Sequence, residues 1–260
     1  MNNLKLLSDG SVNHKLKKNK KEGYLTYSLN FAHSDLSGFN VCPMAKPLGS
    51  SKQPNDKLSS CSSCCVGANG FASIHSSVLE SRINKTIAFK LDTQNFMLKL
   101  INEVENGIKL AKKKNLKPTF RLNAYSDILF EKVLIDNINI FEMFPSVTFY
   151  DYTKIHNRKT PKNYQLTFSH YGDFEKTSEA LKNGFNSAIV FEKLPSKIKI
   201  NNKIYSVIDG DFTDLRIDEK INGSSVVVGL KFKGSKAKLN DAIIEGFCIS
   251  KNNHSLIWEV

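Results

Sequence analysis

The sequence lacks long hydrophobic runs and an excess of acidic residues, and both absences narrow the class of protein. No run of about 18 or more apolar residues occurs, so no segment is predicted to cross a membrane. The first residues are polar and then lysine-rich, without the apolar core of a secretory signal, which predicts a cytoplasmic protein. Hydrophobic residues make up 40% and charged residues 24% of the 260 residues, which excludes a disordered chain, a collagen and a coiled coil.

Familiar catalytic motifs are also missing. The sequence contains no P-loop, no G-x-G-x-x-G, no G-x-S-x-G and no H-E-x-x-H. None of the reactions that those motifs support is therefore predicted.

Basic residues outnumber acidic ones, 37 to 25, giving a net charge of +12. The lysines form two runs, one of Lys17, Lys18, Lys20 and Lys21 and one of Lys112, Lys113 and Lys114. One interpretation is solvated surface and a favourable charge at a helix C-terminus. The other is a patch that contacts the phosphates of a nucleic acid, although no helix-turn-helix, RNA-recognition or zinc-finger pattern accompanies it.

Alternating strand and helix patterns predict the fold. We expect a loose basic arm over residues 1–22 and a single α/β domain over residues 23–260. Strands are predicted over 24–31, 119–123, 146–152, 164–169, 187–191, 206–209 and 226–230, and helices over 72–80, 93–111, 128–141 and 174–182. This order favours a (β/α)-barrel-like fold of the TIM type, complete or distorted, and the alternative is an open doubly wound sheet.

Four of the five cysteines lie in a long polar stretch, residues 32–65, that has no apolar periodicity. A loop of this length is normally functional or tied down by something else, so we expect a metal-binding loop over residues 32–70. Thiolates are soft ligands that suit an iron–sulfur cluster or zinc. We expect an iron–sulfur cluster, with a structural Cys₄ zinc site and metal-free thiols as alternatives. The predicted ligands are Cys42, Cys61, Cys64 and Cys65, whereas Cys248 reads as a buried structural thiol.

Polar residues follow several of the predicted strands. In a barrel the chemistry sits at the C-terminal ends of the strands, so these residues are candidates for binding or catalysis. For some of them a structural role is the alternative: an N-cap for Asp127, a turn for Asp209 to Asp211, and core packing for Tyr152. The candidates are Arg121, Asn123, Asp127, Tyr152, Lys154, Asp209 and Asp211. If Arg121 faces the lumen, an anion must offset its charge, and Asp127, Asp209, Asp211 or a small anionic ligand are the candidates.

Several motifs resemble a family of uncharacterised bacteriophage proteins, the gene product 88-like proteins. The resemblance begins with Cys42-Pro43-Met44-Ala45 and the C-x-x-x-C pair of Cys61 and Cys65, and it runs from about residue 24 to about residue 237. Later motifs that agree in order are Arg121-Leu122-Asn123, Ser126-Asp127-Ile128, Phe149 to Lys154, Asn163 to Ser169, and Val207 to Asp211 with Asp214 and Arg216. This implies a phage origin, a shared polar site and the cytoplasm of an infected host cell.

The family is also distantly similar to radical S-adenosylmethionine enzymes, which hold a [4Fe–4S] cluster on a (β/α) barrel. The sequence departs from their C-x-x-x-C-x-x-C pattern, because Cys61 starts two overlapping spacings and Cys42 lies far upstream. We therefore expect an iron–sulfur protein that is either a redox enzyme, of the oxidoreductase or radical type, or a redox-linked protein, with an electron-transfer partner or a small anionic substrate. A nucleic-acid-binding protein with a structural Cys₄ zinc site is the alternative.

Overall fold

The structure is a computed structural model that describes residues 4–10, 14–46, 65, 75–251 and 258–259. The α-helices in these ranges are α1 (His14–Lys18), α2 (Ser76–Leu91), α3 (Thr93–Lys113), α4 (Ile140–Met143), α5 (Phe174–Lys182) and α6 (Lys236–Ile244). Two 3₁₀ turns cover Asn19–Glu22 and Phe130–Lys132. None of the helices described combines the length and the hydropathy that crossing a bilayer requires.

The strands of the described ranges form one large sheet and one small hairpin. The strands are β1 (Leu7–Asp9), β2 (Tyr24–Leu29), β3 (Lys117–Arg121), β4 (Leu134–Ile135), β5 (Ile138–Asn139), β6 (Thr148–Thr153), β7 (Tyr164–Ser169), β8 (Asn186–Phe191), β9 (Lys197–Ile200), β10 (Lys203–Asp209), β11 (Val227–Lys231), β12 (Cys248–Ile249) and β13 (Trp258–Glu259). In the described residues, eleven strands form the sheet in the order β1-β2-β3-β6-β7-β8-β11-β10-β9-β13, with β12 paired to β8. From β2 to β10 in this order, each strand is parallel to the next one. The strands at the two edges, β1 on one side and β9 and β13 on the other, pair antiparallel with their neighbours.

Helix α3 covers one face of the sheet, called here the outer face. Its apolar residues Phe96, Leu100 and Val104 recur at helical spacing and are fully buried against Leu25, Phe120 and the rest of the main core. Asp92 begins the helix, because its carboxylate accepts a hydrogen bond from the Asn95 amide at 3.2 Å. Gly107 lets the helix approach closely, since an added Cβ would lie 3.0 Å from the Tyr27 ring.

The opposite, inner face is polar. It carries Thr26, Thr119, Arg121, Tyr150 and Tyr152, which alternate along their strands with the apolar residues of the outer face. The connection between β10 and β11 crosses this inner face, as its contacts with three strands show. Asp214 pairs with Arg121 of β3, Arg216 donates to the Tyr152 hydroxyl of β6 at 2.7 Å, and the Asp218 amide donates to the Gln165 side chain of β7 at 2.9 Å.

The sheet curls, so that its two ends approach each other. Lys18 and Asn19, which precede β2, contact Asp211 and Thr213, which follow β10, with hydrogen bonds of 3.2 and 2.9 Å. Strand pairing among the described residues does not close the sheet, so a TIM barrel is not confirmed. The fold is mixed α/β with a large, mostly parallel sheet.

Three sequence expectations differ from the structure. The described part of the predicted loose arm contains β1, which pairs with β2, and a fully buried Asn19. The predicted helix over 128–141 is replaced by a 3₁₀ turn, the β4–β5 hairpin and short α4, because Asp136 and Asn137 adopt left-handed φ angles of 49° and 66° that break a helix. Helix α2 extends from Ser76 to Leu91, well beyond the predicted end at residue 80.

Candidate functional site

A cavity of about 450 Å³ opens at the C-terminal ends of the parallel strands. Its walls include Ser28 near the end of β2, Arg121 at the end of β3, Ser169 at the end of β7 and Leu230 near the end of β11. Because the carboxyl ends of parallel strands meet at one edge, residues far apart in sequence converge here. The cavity therefore lies where the sequence analysis places the chemistry.

The cavity has one polar side and one apolar side. The polar side comes from β3, β6, β7, the segments after them and the β10–β11 connection, and includes Arg121, Asn123, Ser126, Asp127, Tyr152, Thr153, Lys154, Ser169, His170 and Asp214. The apolar side comes from β8, β11 and the residue before β12, and comprises Ala188, Val190, Leu230 and Phe247. A cavity with such walls suits an organic molecule that has both a polar and an apolar part.

Arg121 is the buried cation of the polar side, with 8% of its surface exposed. Its guanidinium lies 5.6 and 5.4 Å from the ring centres of Tyr150 and Tyr152, and its Nη1 donates to Asp214. Its Nε lies 3.6 Å from Asp151 Oδ1, and neither atom has a hydrogen-bond partner among the described residues. Burial alone lowers the pKa of Arg121, but Asp214 and the other neighbouring groups raise it overall, so the side chain stays charged.

Asp151 points to the outer side of β6 and is fully buried. Its Oδ2 accepts hydrogen bonds from the amides of Leu122 and Asn123, at 2.9 and 3.0 Å, and from the Tyr164 hydroxyl at 3.2 Å. Burial raises the pKa of Asp151 to about 7, against the opposing effects of the Arg121 charge and the two amides. This carboxyl therefore fixes the turn after β3 and changes its charge near neutral pH.

Asp127 joins the segment after β3 to the end of β6. Its carboxylate accepts from the Thr153 hydroxyl at 3.1 Å and the Lys154 amide at 2.8 Å, and it forms an ion pair with Arg158 at 2.8 Å. Burial raises the pKa of Asp127, although the Lys154 amide and Arg158 lower it. The predicted N-cap role is wrong, because the 3₁₀ turn Phe130–Lys132 that follows has Leu129 and not Asp127 at its N-cap position.

Lys154 and His170 are both held by neighbouring groups at the cavity wall. The Lys154 Nζ donates to the carbonyl and hydroxyl of Ser169 at 3.3 and 3.2 Å and lies 5.3 Å from the centre of the Tyr171 ring. The His170 Nδ1 lies 2.7 Å from the Thr177 hydroxyl, and its Nε2 accepts from the Gly172 amide at 3.1 Å. Both ring nitrogens of His170 therefore contact protein groups, which gives this residue a structural role.

Cys42 and Cys65 line this same cavity although 22 residues separate them in sequence. Cys42 lies in the stretch after β2 and is held against the segment after β3. Its Sγ accepts a hydrogen bond from the Ser34 amide at 3.4 Å and donates one to the Tyr125 carbonyl at 3.5 Å. Next to it, the Asp127 amide donates to the Val41 carbonyl at 2.8 Å. The two remaining predicted ligands, Cys61 and Cys64, lie outside the described residues.

No group of three or more His, Cys, Asp or Glu residues is placed to bind a metal ion within the part of the chain that the structure describes. The two described cysteines of the predicted set nevertheless meet at one cavity, and Cys64 is bonded directly to Cys65. The metal centre that the sequence predicts stays a prediction.

Two predicted site residues do not line the cavity. Asp209 is exposed and its Oδ1 accepts from the Asp211 amide at 2.8 Å, which is a turn contact. Asp211 pairs with the Lys233 Nζ at 2.5 Å and accepts from the Lys231 amide at 3.0 Å. The carboxylate that pairs with Arg121 is that of Asp214, so the predicted protein partners Asp127, Asp209 and Asp211 are wrong. The alternative partner, a small anionic ligand, stays a prediction.

Sequence reasoning missed several residues that build the site. Asp151 was placed in a strand without a role, and Arg158, Val190 and Phe247 were not selected at all. Arg158 carried a detectable signal, since a lone arginine between two predicted strands needs a carboxylate partner if it is buried. The apolar residues of the cavity wall carried no such signal, because the same residue types line cavities and fill cores.

The fold and the cavity define a mixed α/β protein with a ligand-sized site at the C-terminal edge of a curled, mostly parallel sheet. The chain belongs to the Gene product 88 family of bacteriophage proteins, whose family model matches residues 5–251. Searches of curated proteins and of solved structures each found no significant match.

Proposed function

We propose that this protein is an iron–sulfur redox protein that binds a small amphipathic anion next to its cluster. The observation that carries the proposal is the convergence of Cys42 and Cys65 on the cavity that contains Arg121 and Lys154. We place its activity in the cytoplasm of the infected host cell. In this proposal the curled sheet is a distorted (β/α) barrel, in which the β10–β11 connection fills part of the lumen.

Cysteine thiolates supply the proposed ligands. Cys42 and Cys65 come from separate stretches, and Cys61 and Cys64 lie within four residues of Cys65 in sequence. Thiolates are the ligands that [4Fe–4S] clusters prefer, and a bound cluster supplies one-electron transfer. Four thiolates would complete the cluster for electron transfer to a partner protein, whereas three would suit an enzyme, including one of the radical S-adenosylmethionine type.

The polar wall selects the charge of the ligand. Arg121 and Lys154 bring positive charge to the cavity: Arg121 is paired with Asp214, whereas the Lys154 Nζ donates to the neutral carbonyl and hydroxyl of Ser169. A carboxylate or phosphate oxygen on the ligand would accept a charge-assisted hydrogen bond from the Lys154 ammonium, next to the Arg121 guanidinium. Val190, Leu230 and Phe247 would pack on the apolar part of the same molecule.

The first test is the metal content of anaerobically purified protein. We expect brown protein with broad absorbance near about 400 nm and with both iron and acid-labile sulfide. Cys42→Ala and Cys65→Ala should each lose this absorbance and most of the iron. Cys248→Ala is the matched control, because Cys248 is buried in β12 and is not among the proposed ligands.

Two results would overturn the proposal. Colourless protein with stoichiometric zinc, lost in the Cys42 and Cys65 variants, would replace the cluster with a structural zinc site. Full iron and sulfide content in both variants would show that these cysteines are not ligands.

The second test addresses the ligand with 4-fluorobenzoate, a small carboxylate with an apolar ring. Ligand-detected ¹⁹F NMR should show saturable binding that Val190→Trp abolishes, because the larger side chain fills the apolar side of the cavity. Val78→Trp is the control, since Val78 is exposed on α2 and does not line the cavity. Binding that survives Val190→Trp would place the anion elsewhere.

A further inference from the structure

Phe212 is the centre of a second surface, distinct from the cavity. Its side chain is 71% exposed, and it follows Asp211 in the turn after β10. Asp211 joins lysines from the two ends of the chain: its carbonyl accepts from the Lys18 Nζ at 3.2 Å and its carboxylate pairs with the Lys233 Nζ. The structure therefore places an exposed aromatic ring among lysines that the sequence separates by more than 200 residues.

The turn that carries Phe212 is anchored on both sides. Before it, the Gly210 amide donates to the Gly229 carbonyl at 2.8 Å, and a Cβ at Gly210 would lie only 2.5 Å from Val228. After it, the Thr213 hydroxyl donates to Asn19 at 2.9 Å. Because the turn already holds this apolar side chain outward, little further conformational entropy is lost when the side chain binds a partner. This favours its use as a contact surface.

The charge around Phe212 is predominantly positive. The segments that meet here, residues 17–22, 209–213 and 231–233, carry six lysines against the acidic residues Glu22, Asp209 and Asp211. The exposed lysines among them are Lys17, Lys20, Lys21, Lys231 and Lys233. A surface of this kind suits a polyanion rather than an acidic or neutral small molecule.

We propose that this surface, called here the Phe212 surface, binds single-stranded nucleic acid. Lysines would contact the phosphates, and the Phe212 ring would stack on a base. Single strands are favoured over duplexes because a protruding aromatic ring can stack only on a base face that is not covered by its neighbours. This binding is independent of the cluster and of the cavity ligand.

The test is fluorescence anisotropy of the full-length protein with a fluorescein-labelled oligothymidine of 15 nucleotides. Phe212→Ala should weaken binding by about 5- to 150-fold, the usual effect of removing one stacking aromatic, without changing the salt dependence. Lys231→Ser with Lys233→Ser should lower the slope of log K against log salt by about 1.4, because two phosphate contacts are lost.

Matched variants separate this surface from general effects of charge and hydrophobicity. Ile244→Ala removes an apolar side chain that is 82% exposed on α6, and Lys112→Ser with Lys113→Ser removes two exposed lysines at the end of α3. Both control variants should bind the oligonucleotide with an affinity within about twofold of that of the unmodified protein. The unmodified protein should bind a duplex of the same length more weakly than the single strand.

The proposal is overturned if the oligonucleotide does not bind, or if Phe212→Ala behaves like Ile244→Ala. It is also overturned if the α3 lysine variant reduces the salt slope as much as the variant at Lys231 and Lys233. Phe212-dependent binding to vesicles of phosphatidylserine and phosphatidylcholine, with none to the oligonucleotide, would assign the surface to a membrane instead.

Discussion

Two buried arginines near the end of β3, Arg158 and Arg121, are paired very differently. Arg158 donates through Nε and Nη2 to the two oxygens of Glu131, at 2.8 and 2.6 Å, and through Nη1 to Asp127 at 2.8 Å. Its Nη2 also donates to the Ile128 carbonyl at 2.9 Å. Arg121 donates to Asp214, but its Nε is without a hydrogen-bond partner in the described part of the chain.

The difference separates a structural arginine from a candidate binding residue. Burying a guanidinium is costly unless its donors are satisfied, and Arg158 meets that condition through protein groups alone. Arg121 lines the cavity and donates a hydrogen bond to one carboxylate, that of Asp214, whereas Arg158 pairs with two carboxylates and does not line the cavity. We therefore assign Arg158 to holding residues 127–131 in place and Arg121 to binding.

Removal of Arg158 should have the largest effect on stability. Arg158→Met leaves the buried carboxylates of Asp127 and Glu131 without their cation, which should lower the free energy of unfolding by about 3–5 kcal/mol. Urea denaturation followed by circular dichroism measures this change. Lys176→Met is the control, because the ion pair of Lys176 with Asp173 is partly exposed and 3.7 Å long. This substitution should lower the free energy of unfolding by at most about 1 kcal/mol. Similar losses in the two variants would contradict the structural role of Arg158.

Stability should depend on pH through Asp151, which lies against Arg121. Since its pKa in the folded protein is about 7 and that of an unfolded Asp is 3.8, the folded state binds the extra proton between these values. The stability this group contributes is present at low pH and is lost as the pH rises toward and through 7. From pH 5 to pH 8 the free energy of unfolding should fall by up to about 3 kcal/mol on this account.

Asp151→Asn is the variant that isolates this effect, because an amide does not titrate. Its stability should change less between pH 5 and pH 8 than that of the unmodified protein. Asp209→Asn, at an exposed turn, should keep the original pH dependence. If Asp151→Asn also keeps it, another group causes the change.

The sequence predicted some elements well because local pattern alone determines them. Helix α3 was predicted from an apolar residue at every third or fourth position, and strand β7 from alternation with β-branched and aromatic residues. Recognising either pattern needs no knowledge of distant contacts. The segment from 128 to 141 was mistaken for a helix because its apolar residues also have helical spacing. The adjacent Asp136 and Asn137 were the signal for a turn there.

The candidate site was predictable only in part. Strand ends indicated Arg121, Asn123, Asp127, Tyr152 and Lys154, and the structure places all five at one cavity. The partner of Arg121 was not predictable, because Asp214 reaches it only through a connection that crosses the inner face of the sheet. Strand periodicity contains no information about the path of such a connection.

Arg121→Lys should weaken binding of the proposed cavity ligand and have little effect on the proposed cluster. Lysine keeps the positive charge near Asp214 but loses the planar guanidinium between Tyr150 and Tyr152 and the Nε donor. Binding of 4-fluorobenzoate by ¹⁹F NMR should weaken about 10-fold, as expected for one lost charge-assisted hydrogen bond. The absorbance of the cluster should stay unchanged. Undiminished binding would show that Arg121, like Arg158, is structural.

Asp214→Asn should give the smallest effect and the opposite sign. Asp214 lines the cavity and neutralises part of the Arg121 charge, so it repels an anion that approaches the same guanidinium. Asparagine keeps the shape and can still accept a hydrogen bond from Nη1, but it removes the negative charge. Binding of 4-fluorobenzoate should therefore become about threefold tighter at low salt, with a smaller gain at high salt because ions screen the interaction. Asp209→Asn removes the same charge at a turn outside the cavity and should leave the affinity unchanged. Weaker binding in Asp214→Asn would mean that Asp214 holds Arg121 in its binding geometry, which would make the Asp214–Arg121 pair a structural unit like that of Asp127 and Arg158.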